Sequence, residues 1–124
     1  MNMIKYAKFS LIGVVAMIFG QASTGLSQNS ANTADSHIWT AQVGLVLCLL
    51  TAVFVMLSKT EDSKLKGMSW GLFVAWVIQY GLGEMYSGGM DAMSFVHAVI
   101  AMAILLHAMA LLRSFPKDMA TDTA

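Results

Sequence analysis

The sequence predicts an all-α integral membrane protein: a three-helix transmembrane bundle behind an N-terminal hydrophobic helix that is either a signal peptide or a fourth span. Three observations carry this reading. Apolar residues make up 57% of the chain and charged residues 11%, against roughly 45–50% and about 25% in soluble domains. Three segments approach the roughly 20 mostly apolar residues that a membrane helix needs. The lysines and arginines all flank these segments on one side once the chain is threaded through them, as basic residues that resist translocation do.

The first stretch supports two alternatives. Residues 1–8 carry Lys5 and Lys8, Phe9 to Gly20 is apolar, and Gly20-Gln21-Ala22 spaces small residues for cleavage before Ser23. That is the pattern of a secretory signal peptide over residues 1–22. The same residues also form an uncleaved first helix from Ile4 to Gly20. Residues 23–36, rich in Ser, Thr, Asn and Ala, are expected as a polar exterior segment.

The bundle is expected over 37–113, with spans at about 38–57, 68–86 and 93–112. The first and third of these lack Asp, Glu, Lys and Arg; the middle one carries Gln79 and, near its end, Glu84. Ser58 to Gly67 is short and polar, which makes its flanking helices antiparallel neighbours. Ser87-Gly88-Gly89 supplies the next turn, and Asp91 falls where a helix N-terminus favours a carboxylate. Pro116, the only proline, follows the last span, and residues 114–124 form a tail. Lys5, Lys8, Lys59, Lys64, Lys66, Arg113 and Lys117 place both termini and the 58–67 connection in the cytoplasm of a multi-pass cell-membrane protein. Trp39, Trp70 and Tyr86 lie near span ends, as interfacial aromatics do.

Between helices in lipid, small residues mark close approach. His37, Ala41, Gly44, Cys48 and Thr51 recur at helical spacing on one face of the second stretch, within about 40° of His37 at 3.6 residues per turn. His97, Ala101, Ile104 and Ala108 repeat the pattern in the last stretch, and Gly71, Ala75, Gln79 and Gly83 form a small stripe between them. Gly44, Cys48, Gln79, Ala101 and His107 are therefore expected at helix contacts. Gln79, in mid-span, needs a partner across the interface, a bond worth about 1 kcal/mol.

The chemistry-bearing residues gather at the exterior end. His37 starts one span, Glu84 ends the next, Asp91 opens the following turn and His97 lies one turn into the last. Two imidazoles and two carboxylates at one depth are ligands for copper, zinc or iron, and Met85, Met90 and Met93 nearby would favour Cu(I). One b-type haem on His37 and His97 is the second chemistry, because a bis-histidine site needs imidazoles from facing helices at matched depth. His107 lies about 15 Å further inward and has no partner histidine. The run from His97 through Met109 resembles helices of small b-type cytochromes, but departs from them in its histidine pairing. A phosphate-binding glycine loop, a nucleophile elbow, a His-Glu-x-x-His helix and a paired-cysteine motif are all absent from the sequence. With zero net charge and no basic run, nucleic acid is not a partner class.

Two functions follow as expectations. One is a small accessory subunit of a larger respiratory or copper-dependent membrane oxidoreductase, not catalytic alone, packing against larger integral membrane subunits and lipid. The other is a copper-handling protein or a one-haem cytochrome using His37 and His97.

Overall fold

A computed structural model describes residues 2–26, 31–86 and 91–117, with side chains described for 2–25, 34–85 and 92–117. Four helices follow one another: α1 (Met3–Leu26), α2 (Ala31–Leu57), α3 (Ser63–Tyr86) and α4 (Asp91–Ser114). Each packs against the next, and α1 packs against α4 to close the ring, while the diagonal pairs stay apart among the described residues. The result is an up-down-up-down four-helix bundle, with α1 and α3 running one way and α2 and α4 the other.

Met3–Gly25, Ala34–Leu57 and Ala92–Ser114 are long and apolar enough to cross a membrane. At 1.5 Å per residue a 24-residue helix is about 36 Å long, more than the roughly 30 Å hydrocarbon core. This differs from the expected trio of spans: the first stretch qualifies and the α3 stretch does not. Gln79, Tyr80, Glu84 and six further glycine and tryptophan positions dilute the hydrophobicity of α3. Connectivity still requires α3 to bring the chain back between α2 and α4, which run in the same direction. At most 28% of any of the three apolar segments is buried within the chain. Phe19, Trp39, Phe95, Met102 and Leu106 are among the large residues facing outward, as suits a multi-pass membrane protein surrounded by lipid.

α1 belongs to the core. Ala7, Leu11, Val14 and Ile18 are buried against the other helices, and the helix continues unbroken past the cleavage point expected before Ser23. The polar segment expected over 23–36 is also largely helical, since α1 runs to Leu26 and α2 begins at Ala31. Polar residues continue these helices because their side chains bond locally: Thr24 Oγ1 donates to the Gly20 carbonyl at 2.8 Å and Thr40 Oγ1 to that of Ser36 at 2.9 Å.

The α2–α3 connection is closed by standard helix-end chemistry. Lys59 adopts φ 55°, the left-handed conformation that ends many helices. Asp62 caps α3 by accepting the Leu65 N–H at 2.9 Å.

Burial reveals an internal repeat. The buried residues of α1 reappear in α3 at a constant offset (7 to 65, 11 to 69, 14 to 72, 18 to 76), as Leu65, Ser69, Leu72 and Trp76. Four of those of α2 reappear at another (44 to 104, 48 to 108, 51 to 111, 55 to 115), as Ile104, Ala108 and Leu111 of α4 and Phe115 just past its end. Exchanging the α1–α2 hairpin for the α3–α4 hairpin maps the ring of helix contacts onto itself. The two hairpins are related by a pseudo-twofold axis along the bundle. Packing diverges where volumes are traded. Trp76 lies over Gly44 and donates Nε1–H to the Ala41 carbonyl at 2.9 Å, whereas the equivalent positions hold two medium residues, Ile18 and Ile104.

Candidate functional site

The expected helix contacts are placed as follows. Gly44 and Cys48 are buried on the inner face of α2. Ala101 is half-buried on α4. His107 places Nε2 2.8 Å from the Met68 carbonyl, across the α3–α4 joint beside Gly71. Cys48, with no second cysteine in the chain, is a buried thiol in the core. The stripe of Gly71, Ala75, Gln79 and Gly83 does face α4, because Gly71 meets His107 while Gln79 and Gly83 both meet His97.

At the end of the bundle remote from the lysines, His37 of α2 and His97 of α4 come together. Their ring centroids are 6.4 Å apart and the planes are inclined by 54°. These residues stand on diagonally opposed helices that do not themselves touch, so the pair bridges the interior of the bundle.

Each histidine is set by the helix before it. Gln21 of α1 donates its side-chain amide to the His37 carbonyl and to Thr40 Oγ1. In the second hairpin Gln79 of α3 donates to the His97 carbonyl at 2.9 Å. A turn further on, Gly25 and Gly83 lie against the rings: a Cβ at Gly25 would stand 3.2 Å from His37 Cε1, and one at Gly83 3.3 Å from His97 Cε1. Both imidazoles thus turn a Cε1–Nδ1 edge to bare backbone. Trp76 bonds to the Ala41 carbonyl, one turn along α2 from His37.

Thr24 Oγ1 donates to the Gly20 carbonyl at 2.8 Å and lies 3.1 Å from His37 Nδ1. With its proton on the Gly20 carbonyl, the hydroxyl is an acceptor for an Nδ1–H, the tautomer that leaves the Nε2 lone pair for a metal. His97 lacks the equivalent bond, and its Nδ1 is buried with no partner, as is Gln79 Oε1.

Of the four ligands expected, the structure unites two. Glu84 has an exposed side chain near the end of α3, and Asp91 opens α4 with its side chain outside the described residues. Met90 is outside them too, and Met85 points outward. Among the described residues no three His, Cys, Asp or Glu side chains assemble as a metal cluster.

Two imidazoles suit a centre that brings its other donors along. His37 and His97, with ring centroids 6.4 Å apart, are the two side chains that would hold a metal carrying its other donors with it. A bare Zn²⁺ would still want two further protein ligands, whereas an iron porphyrin supplies four nitrogens itself.

Gln21, Thr24 and Gly25 are the site residues that sequence reasoning missed. The signal was there: Gln-x-x-x-Gly occurs at 21–25 and 79–83, followed by a histidine at 37 and at 97. No protein-family model matches the chain, and no curated protein or solved structure is significantly similar to it. Fold and site define it on their own terms as a multi-pass four-helix membrane protein with an interior histidine pair.

Proposed function

We propose that the protein is a small membrane cytochrome that holds one b-type haem between His37 and His97 and passes single electrons to and from larger integral membrane subunits. The observation that carries this reading is the 6.4 Å separation of the two rings across the bundle interior. Bundle cores are where cofactor ligands from facing helices converge. Around the pair, bare backbone at Gly25 and Gly83 keeps Cβ atoms off the ring edges, and Gln21 and Gln79 fix the ligand-bearing turns.

A single centre needs an external donor and acceptor, which keeps the expectation of an accessory subunit within an oxidoreductase assembly. Large outward residues along α2 and α4 give such subunits a surface to pack on. The grouping of the seven basic residues at the opposite end supports a membrane orientation with the histidine pair on the exterior side.

The test is purification of the full chain in mild detergent from cells supplied with haem precursor, with a visible spectrum and metal analysis on one sample. One haem per chain with a reduced low-spin spectrum is expected. A colourless protein carrying one copper would move the pair to the copper-handling reading. A colourless, metal-free protein would overturn both.

A further inference from the structure

The two histidines are equivalent by the repeat yet differ in what holds their outer nitrogens. Thr24 falls opposite Leu82 at the same offset that relates Gln21 to Gln79 and Gly25 to Gly83 (24 to 82, 21 to 79, 25 to 83). The hydroxyl 3.1 Å from His37 Nδ1 is therefore matched by an isobutyl group at the equivalent position of the second hairpin. The other hydroxyl of the first hairpin, Thr40, is likewise replaced by Ile100 (40 to 100). His97 Nδ1 is left buried without a partner, and Gln79 Oε1, an acceptor on the same α3–α4 joint, is left so too.

A hydrogen bond to the outer nitrogen of a metal-bound histidine orients the ring and raises its basicity, and its loss typically weakens metal binding by about 10–100-fold. An unsatisfied buried polar nitrogen also favours any ring movement that finds it a partner. Resting on the haem reading above, we infer that His37 is the fixed ligand and His97 the displaceable one, so that the α3–α4 side of the site opens to a small neutral ligand of the carbon monoxide class. The exchange moves no electrons: the bond from His97 Nε2 to the metal breaks, the incoming ligand's lone pair takes its place, and the released ring stays neutral.

The experiment uses the full chain loaded with haem and reduced with dithionite, with carbon monoxide as the probe. Wild-type protein should bind one carbon monoxide per haem. Leu82→Thr, which restores the missing acceptor, should lower that affinity about tenfold, and Thr24→Leu should raise it. His97→Ala should keep its haem in a five-coordinate state, whereas His37→Ala should lose it. Helix content by circular dichroism identifies any variant that has merely unfolded, and Leu82→Thr decides the case if a histidine variant does. Equal haem loss in both histidine variants, or an unchanged affinity in Leu82→Thr, would overturn the inference while leaving the haem reading intact. A wild-type chain that takes up no haem would overturn that reading, and this inference with it.

Discussion

Gln21 and Gln79 make the same hydrogen bond from equivalent positions, each donating its side-chain amide to the backbone carbonyl of a histidine on the following helix. Gln21 finds a second acceptor in Thr40 Oγ1, while Gln79 leaves its own Oε1 buried and unpaired. Among the described residues, the second hairpin carries two buried side-chain atoms without partners at this level and the first carries none.

That difference gives opposite expectations for one substitution. Gln21→Leu removes two bonds and relieves no buried polar atom, so it should destabilise the bundle by about 1–2 kcal/mol at roughly 1 kcal/mol per interhelical bond. Gln79→Leu removes one bond but also an unsatisfied acceptor whose burial costs about 1–3 kcal/mol. It should be close to neutral or stabilising. Thermal unfolding in detergent, followed by circular dichroism, compares the two; a larger loss in Gln79→Leu than in Gln21→Leu would contradict the account.

The fold was largely readable because apolar runs of membrane length leave little choice, and the common depth of His37 and His97 followed from threading those runs. What escaped reading has physical causes. Gln21 lies among small residues that also fit a cleavage site, and only its bond to the His37 carbonyl gives it a role. The polar residues of 23–36 suggested a loop because composition does not show that Thr24 and Thr40 hydroxyls bond back along their own helices. Glu84 and Asp91 shared a predicted depth with the histidines, but depth says nothing about which way a helix turns its side chains, and Glu84 faces outward. The repeat was hidden because its two halves use different offsets and trade volumes, as in Trp76 over Gly44 against Ile18 and Ile104.

Gly44 and Trp76 form the tightest of those exchanges. A Cβ on Gly44 would overlap the Trp76 ring, only 2.6 Å from its Cη2. Gly44→Ala should therefore displace the indole and break its bond to the Ala41 carbonyl, at a cost of about 1–3 kcal/mol for an overpacked core. Adding Trp76→Leu should recover part of that loss, because the smaller side chain makes room for the methyl. Thermal unfolding of the single and double variants measures the coupling, and additive effects would show that the two side chains do not compete for one space.

Gly25 and Gly83 test the ring positions without touching a ligand. An added methyl would meet the Cε1 atoms of His37 and His97 at 3.2 and 3.3 Å, close enough to require a shift of a few tenths of an ångström. Gly25→Ala and Gly83→Ala should keep helix content unchanged while reducing haem uptake and altering the visible spectrum. Gly67→Ala is the control, since a Cβ there meets nothing within 4 Å. A spectrum in Gly25→Ala and Gly83→Ala identical to that of Gly67→Ala would count against the proposal of a haem at this end of the bundle.

The orientation of the bundle decides from which compartment the site is reached. Helix direction puts Lys5, Lys8, Lys59, Lys64, Lys66, Arg113 and Lys117 at the end opposite the histidine pair, and basic flanks are retained in the cytoplasm. Asp35 at the start of α2 and Glu61 in the α2–α3 connection are both exposed and mark the two ends. Cys48 is buried and should not compete for reagent. In intact cells a membrane-impermeant maleimide should label Asp35→Cys at once and Glu61→Cys only after permeabilisation. The reverse order would put the histidine pair on the cytoplasmic side.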